Sequence, residues 1–153
     1  AIGEGVASRL NNLGSRISFY DPFVENNKYS KKELSELLSS NDVVIITCDL
    51  NNSTRKLIDK DKLSEMREDS YLINVSRGPI ICEKALITCL KKGKFSGVAL
   101  DVYEKEPLGN KNLLRSFNNV ILGSHNASNT LNEKEAVHKN TIELLLKELF
   151  KKK

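Results

Sequence analysis

The chain is short of cysteine, histidine and aromatic residues, and each shortage removes a class of function. Its three cysteines, Cys48, Cys82 and Cys89, are an odd number with no pair at metal-ligand spacing. That argues against a disulfide framework and against zinc, and no metal is expected. No apolar run approaches the roughly 20 residues of a membrane span, and no secretory pattern is present. A reducing, cytoplasmic setting without a membrane partner is the expectation. Aromatic residues make up only 6% of the chain and do not interleave with the basic ones. A base-stacking platform needs that interleaving, so no nucleic-acid partner is expected. The net charge of +4 comes from lysines in short runs such as Lys31-Lys32 and Lys91-Lys92 and at the C-terminal end. Such runs read as solvated faces.

What remains is a chain of 153 residues, 39% hydrophobic, enough for one domain with a real core. Helical and strand patterns alternate along it. "GVASRLNNLG" reads as a helix ending at Gly14, and "RISFY" as a strand stopped by Asp21-Pro22. "SKKELSELLSS" reads as an amphipathic helix in which Ser30 caps, Glu33 completes a capping box and Leu34, Leu37 and Leu38 form the apolar face. "DVVIIT" is a β-branched run without polar alternation, the pattern of a strand covered on both faces. A helical turn at "DKDKLSEM", the strand "SYLINV", the helix "CEKALITCLKKG" and the strands "GVAL" and "NVILG" come next. The last segment is a long helix with Ala136, Ile142, Leu145, Leu146 and Leu149 on one side.

Strands alternating with helices imply an α/β fold, a parallel sheet between helices on both faces. Each inferred strand ends in a polar residue: Asp21, Thr47-Cys48, Arg77, Asp101 and His125. Parallel strands all finish on one edge, so these residues are expected to converge on a ligand crevice there.

Arg77 closes an apolar run and is followed at once by Gly-Pro, placing a planar fork of donors where an anion would bind. Asp21 lies about twenty residues after Gly3, the offset at which dinucleotide-binding folds place a carboxylate on the adenosine ribose. It reads equally as an ordinary Asp-Pro turn. Asp101, Glu104 and Glu106 put three carboxylates within the six residues "DVYEKE". They form either a solvated acidic loop or, at Glu106 beside the restricting Pro107, a carboxylate that orients a histidine. His125, one of two histidines, sits between a strand and a helix and can exchange protons near neutral pH, or is a plain loop residue. His138 lies inside the last helix and reads as a surface or packing residue. Together these groups suit hydride transfer between a nicotinamide and a carbon bearing oxygen. His125 would move the hydroxyl proton, Glu106 would hold its tautomer, and Arg77 would grip the carboxylate or keto oxygen.

Four stretches carry a family resemblance. "NVSRGPIICEKAL" is similar to N-x-[AS]-R-G-x-x-[VI]-[DN]-E-x-A-L, and "GVALDVYEKEPL" to G-[AV]-x-L-D-V-[FY]-E-x-E-P-L. "NVILGSHNASNT" and "LNNSTRKLID" match two further family motifs, in family order. From Ile2 to about Leu149 the chain resembles the NAD-binding domain of the D-isomer-specific 2-hydroxyacid dehydrogenases. The resemblance implies a Rossmann-type, doubly wound parallel sheet, NAD as cofactor and a small 2-hydroxy or 2-keto acid as substrate, nearest to the phosphoglycerate-dehydrogenase-like members. It implies Arg77, Glu106 and His125 as the catalytic set. As cofactor contacts it implies Ala1, Ile2, Gly3, Asp21, Cys48, Val75, Ser76, Arg77, Asp101 and His125, with Asp101 on the nicotinamide carboxamide and Gly3 as the glycine that lets helix pack on sheet. A homodimer of the full-length protein is implied as well.

The departures are local. Ala1 stands where many relatives carry arginine, Thr47-Cys48-Asp49 replaces His-x-Pro, Cys82 replaces aspartate, and Gly123-Ser124 replaces Thr-Pro before His125. The family's first strand, two of its loop glycines and most of its substrate domain have no counterpart in the sequence. Residues 1–153 are therefore expected to be a partial NAD-binding domain from a longer protein, with little activity alone. "FYDPF" and "CDLNNSTRKLI" also look like the C-terminal-binding-protein corepressors. An NAD-responsive scaffold is the alternative to an enzyme, and an inactive fragment is the third reading.

Overall fold

The computed structural model describes residues 2–127 and 129–150. Four short apolar runs build one parallel sheet: β3 (Val43–Ile46), β4 (Ser70–Asn74), β5 (Phe95–Leu100) and β6 (Val120–Leu122), hydrogen-bonded in that order. Helix α3 (Lys60–Glu65) links β3 to β4 and α4 (Glu83–Lys91) links β4 to β5. Helix α2 (Leu34–Ser40) precedes β3 and packs on α3, which packs on α4. The fold is α/β, as the alternation of patterns implies, and Rossmann-like, as the resemblance implies.

The core lies under one face of the sheet. Val44, Ile46, Leu72, Asn74, Val98 and Leu100 share that face and are each at most 6% exposed. The apolar ones join Leu38 of α2, Leu63 of α3 and Leu86 and Leu90 of α4 in a single cluster. The other face is thinly covered: Val43, Tyr71 and Ile121 are 46%, 49% and 73% exposed. This corrects the expectation that "DVVIIT" is covered on both sides. The two remaining helices, α1 (Ile2–Asn12) and α5 (Leu131–Phe150), bury none of their own residues fully. The apolar side of α5 forms as expected but is exposed, including Ile142, Leu145, Leu146 and Leu149.

The first sheet strand expected from "RISFY" is shorter and stands apart. Only Ser18–Phe19 is extended, as β1, and it pairs in parallel with β2 (Ser30–Lys31). Among the described residues no strand joins this pair to β3. The pairing also removes the expected capping box. Ser30 N–H donates to Ile17 O and Lys32 N–H to Phe19 O, so the backbone around Ser30 is committed to a ladder. Helix α2 starts later, with Glu33 as its N-cap and no side-chain cap bond. Its apolar face is as read, with Leu38 fully buried. α1 and α4 stop just before Gly14 and Gly93, both at positive φ, the usual helix ending.

The register aligns the strand ends. Ile46 pairs with Asn74, Asn74 with Leu100 and Leu100 with Leu122. The four strands thus finish in one row, and Thr47, Val75, Asp101 and Gly123 each lie one residue beyond it. Burial on a single face gives a direct contrast. Leu72→Ala should lower the unfolding free energy by about 2–5 kcal/mol, and Ile121→Ala by no more than about 0.5 kcal/mol, both read from urea denaturation.

Candidate active site

The loop after β4 carries Arg77, and a buried amide shapes it. Asn74, 1% exposed, accepts from Ser76 N–H at 3.0 Å through its Oδ1 and donates from Nδ2 to Arg77 O at 3.0 Å. A buried amide must be satisfied, and here both its ends hold the turn. Beyond Arg77 the chain makes a 3₁₀ turn, Gly78–Ile80, with Pro79 inside it. Lys56 N–H and Ile58 N–H donate to Pro79 O and Ile80 O, zipping the turn to the segment ahead of α3. The Ser76 hydroxyl donates to Cys48 O, which ties this loop to the end of β3. The Arg77 guanidinium is exposed and donates from Nη1 to Ser76 O at 2.7 Å.

Two further loops meet there. His125 follows β6 at φ 56, a left-handed conformation that costs a non-glycine residue about 1 kcal/mol or more. Its Nδ1 lies 2.7 Å from Glu106 Oε2, and Tyr103 N–H donates to the other Glu106 oxygen, Oε1, at 3.0 Å. With an ionised carboxylate on Nδ1, that nitrogen carries the proton and Nε2 is left for another partner. The Glu106 carboxyl is held below its ordinary range. The first cause is the hydrogen bond from His125; Tyr103 N–H and the charges of His125 and Arg77 add to it, against a smaller opposing effect of burial. The Arg77 charge thus reaches Glu106, and the loops carrying Arg77, Glu106 and His125 leave the same edge of the sheet.

Asp101 sits at the end of β5 and holds the histidine loop from the other side. Its Oδ1 accepts from Asn126 N–H at 3.2 Å and its Oδ2 from Ala127 N–H at 2.8 Å. A side chain at Gly123 would strike this carboxylate, so the close approach requires glycine. Each Asp101 oxygen keeps a second acceptor site for another donor.

The other residues read as cofactor contacts lie towards β1 and β3. Asp21 Oδ1 accepts from Phe23 N–H and Val24 N–H at 2.9 and 3.2 Å, which makes the Asp-Pro turn real. Both bonds use the same oxygen, so the turn reading and a ribose contact through Oδ2 are compatible. Cys48 is half-buried; its thiol is pushed up mainly by burial, with Asp49 and Asp21 adding to the rise against a backbone hydrogen bond. It is thus a neutral thiol, and both carboxylates are within electrostatic reach of it. A Cβ at Gly3 would lie 2.8 Å from Thr47 Oγ1, so glycine lets the start of α1 seat against the end of β3. Ile2 and Val75 are exposed, at 67% and 36%. Ala1 lies outside the described residues. Among the described residues no group of three histidine, cysteine or carboxylate side chains could hold a metal, and no helix is long and apolar enough to cross a membrane.

Two residues that shape the site escape a reading by residue type. Asn74 and Tyr103 belong to stretches that read as a strand end and an acidic loop. The signal for Asn74 is a polar residue closing an otherwise apolar strand, which must find partners when buried.

The arginine loop after β4, the aspartate at the end of β5 and the carboxylate-bonded histidine after β6 leave the same edge of a parallel sheet, the ligand edge of a dinucleotide-binding α/β domain. Comparison with known proteins makes this specific. The chain belongs to the D-isomer-specific 2-hydroxyacid dehydrogenases: the family's NAD-binding-domain model matches residues 1–127. It is 36% identical over 142 residues to the glyoxylate reductase of Thermofilum pendens, which covers 88% of this chain and 41% of that protein. It is 34% identical over 128 residues to the hydroxypyruvate reductase of Blautia hydrogenotrophica, covering 81% and 40%. The NAD-dependent formate dehydrogenase of Staphylococcus aureus, solved with NAD, superposes with a TM-score of 0.86 at 29% identity, covering 97% of this chain and 45% of that one. The chain thus spans about two fifths of the length of these curated relatives.

The depressed Glu106 group fixes the sign of a pH effect. A lowered folded-state value means that the pairing is present in full above the ordinary carboxylate range and is lost as pH falls through the Glu106 value. Followed by ¹³C NMR, the Glu106 carboxyl should titrate below a free glutamate, and in His125→Ala its midpoint should rise. A midpoint unmoved by that substitution would contradict the pairing.

Proposed function

We propose that the full-length protein is an NAD-dependent oxidoreductase that interconverts a small 2-keto acid and its D-2-hydroxy acid. The observation that carries this reading is the 2.7 Å contact of His125 Nδ1 with Glu106 Oε2 under the influence of the Arg77 charge. The residues present fit the cofactor. The start of α1, where backbone N–H groups have no helical partner, is packed at the sheet edge by Gly3 and favours an anion. Asp21 has an oxygen to spare for ribose hydroxyls and would repel a 2′-phosphate, favouring NAD over its phosphorylated form. When bound, NAD supplies the hydride donor or acceptor.

The chain's own groups do the rest. In the reducing direction His125, protonated, gives a proton from Nε2 to the substrate oxygen; in the oxidising direction it takes that proton back. Glu106 keeps the imidazole oriented through Nδ1. Arg77 binds the substrate carboxylate by a charge-assisted bond and offsets charge developing on the keto oxygen. Asp101 holds the histidine loop with two backbone bonds and keeps acceptor capacity for the carboxamide of the cofactor.

The relatives named as glyoxylate and hydroxypyruvate reductases support a substrate of two or three carbons. The phosphorylated three-carbon keto acid of the phosphoglycerate-dehydrogenase-like reading is the alternative, and relative kcat/KM for the three acids separates them. With NADH absorbance as the readout, the full-length protein should reduce one of them. His125→Ala should lower kcat by about 10²–10⁴-fold while NAD affinity stays within about twofold. Normal turnover in that variant would sink the role given to His125.

A further inference from the structure

We propose that Tyr103 is a positioning residue that sets the geometry of the catalytic rim, and that its hydroxyl is what holds His125 in register with Glu106. This rests on the function proposed above for its kinetic consequence, though not for its structural one.

Tyr103 touches all three loops of the site. Its backbone N–H donates to Glu106 Oε1 at 3.0 Å. Its backbone carbonyl group lies against Gly78, the residue after Arg77, so closely that a side chain at Gly78 would collide with it. Its hydroxyl is 2.6 Å from Gly123 O, two residues before His125, and 3.2 Å from Leu100 O. A phenol has one proton to donate, and the shorter contact identifies Gly123 as the principal acceptor.

The chemistry of the position favours a fixed clamp over a passing contact. Tyr103 is only 6% exposed, and a buried hydroxyl without a partner costs about 1–3 kcal/mol. Burial, the leading influence, pushes its pKa up, so it stays a proton donor across the working range. Gly123-Ser124 has no proline ring to fix its backbone, Gly123 N–H donates to Leu100 O at 2.7 Å, and the pair must deliver His125 in a left-handed conformation. Asp101 binds the chain after His125, through Asn126 and Ala127. The Tyr103 hydroxyl binds it before His125. The imidazole is thus held from both sides at the distance Glu106 needs.

Tyr103→Phe tests this in the full-length protein, because it keeps the ring and removes the hydroxyl alone. With ¹⁵N-histidine labelling, the His125 imidazole is assigned as the signal that His125→Gln removes. The wild type should show a downfield Nδ1 proton from His125, absent in Glu106→Gln. In Tyr103→Phe that signal should broaden or vanish while Tm and NAD affinity hold. The kinetic counterpart is a kcat lower by about tenfold at unchanged KM for NADH, less than the roughly 10²-fold that a 1 Å misplacement can cost. An unchanged Nδ1 signal overturns the proposal, and so does a Tm that falls together with the signal, which would mark a role in fold stability alone. Should the wild type reduce no 2-keto acid, the proposed function fails, and the imidazole signal, which needs no substrate, still decides on Tyr103.

Discussion

The ladder register of the four-stranded sheet is the constraint on which the rest of this structure depends. Ile46, Asn74, Leu100 and Leu122 pair in one line, so the segments after them leave the sheet together. Side chains alternate between the two faces with a period of two, and a slip of one residue would turn Val44, Leu72 and Val98 out of the core. Burial of that face on α2, α3 and α4 therefore locks the register. The locked register in turn brings the loops of Cys48, Arg77, Asp101 and His125 to one edge. Packing energy and site geometry have a common origin here.

Within that frame, backbone groups do much of the positioning. Asn74 holds the Arg77 turn through the N–H of Ser76 and the carbonyl of Arg77. Asp101 holds the His125 loop through two N–H groups, and Tyr103 holds Glu106 through another. His125 and Glu106 are consequently left with one well-defined contact between them, Nδ1 to Oε2, and the Arg77 charge reaches Glu106. Holding loops by their backbones leaves the guanidinium and Nε2 available to a small anionic ligand.

Much of this is legible in the residues alone. Apolar runs of strand length alternate with amphipathic segments, and each ends in a polar residue; that is enough to place Arg77, Asp101 and His125 on a common edge. Asp21 proves to be the turn residue its neighbours allow, and both turn bonds fall on Oδ1. The spacing of Ser30 and Glu33 points wrongly to a capping box, because local spacing cannot register that Ser30 has a ladder partner twelve residues back, at Ser18. The second sheet face misleads for a similar reason. β-branched runs record which residues can be buried, and only tertiary packing decides whether they are.

The sequence by itself determined the four strands of the main sheet, the helices between them, their order and the chemical types at each strand end, because periodicity, turn residues and side-chain acidity are local properties. Only the tertiary structure decided that Tyr103 joins three loops, that Asn74 shapes the arginine turn, and that Asp101 grips the chain beyond His125. The contacts that tie these loops together bridge up to 28 positions in the chain, and hydrogen bonds reach only about 3 Å. Distances of that kind exist only once the sheet has set the register.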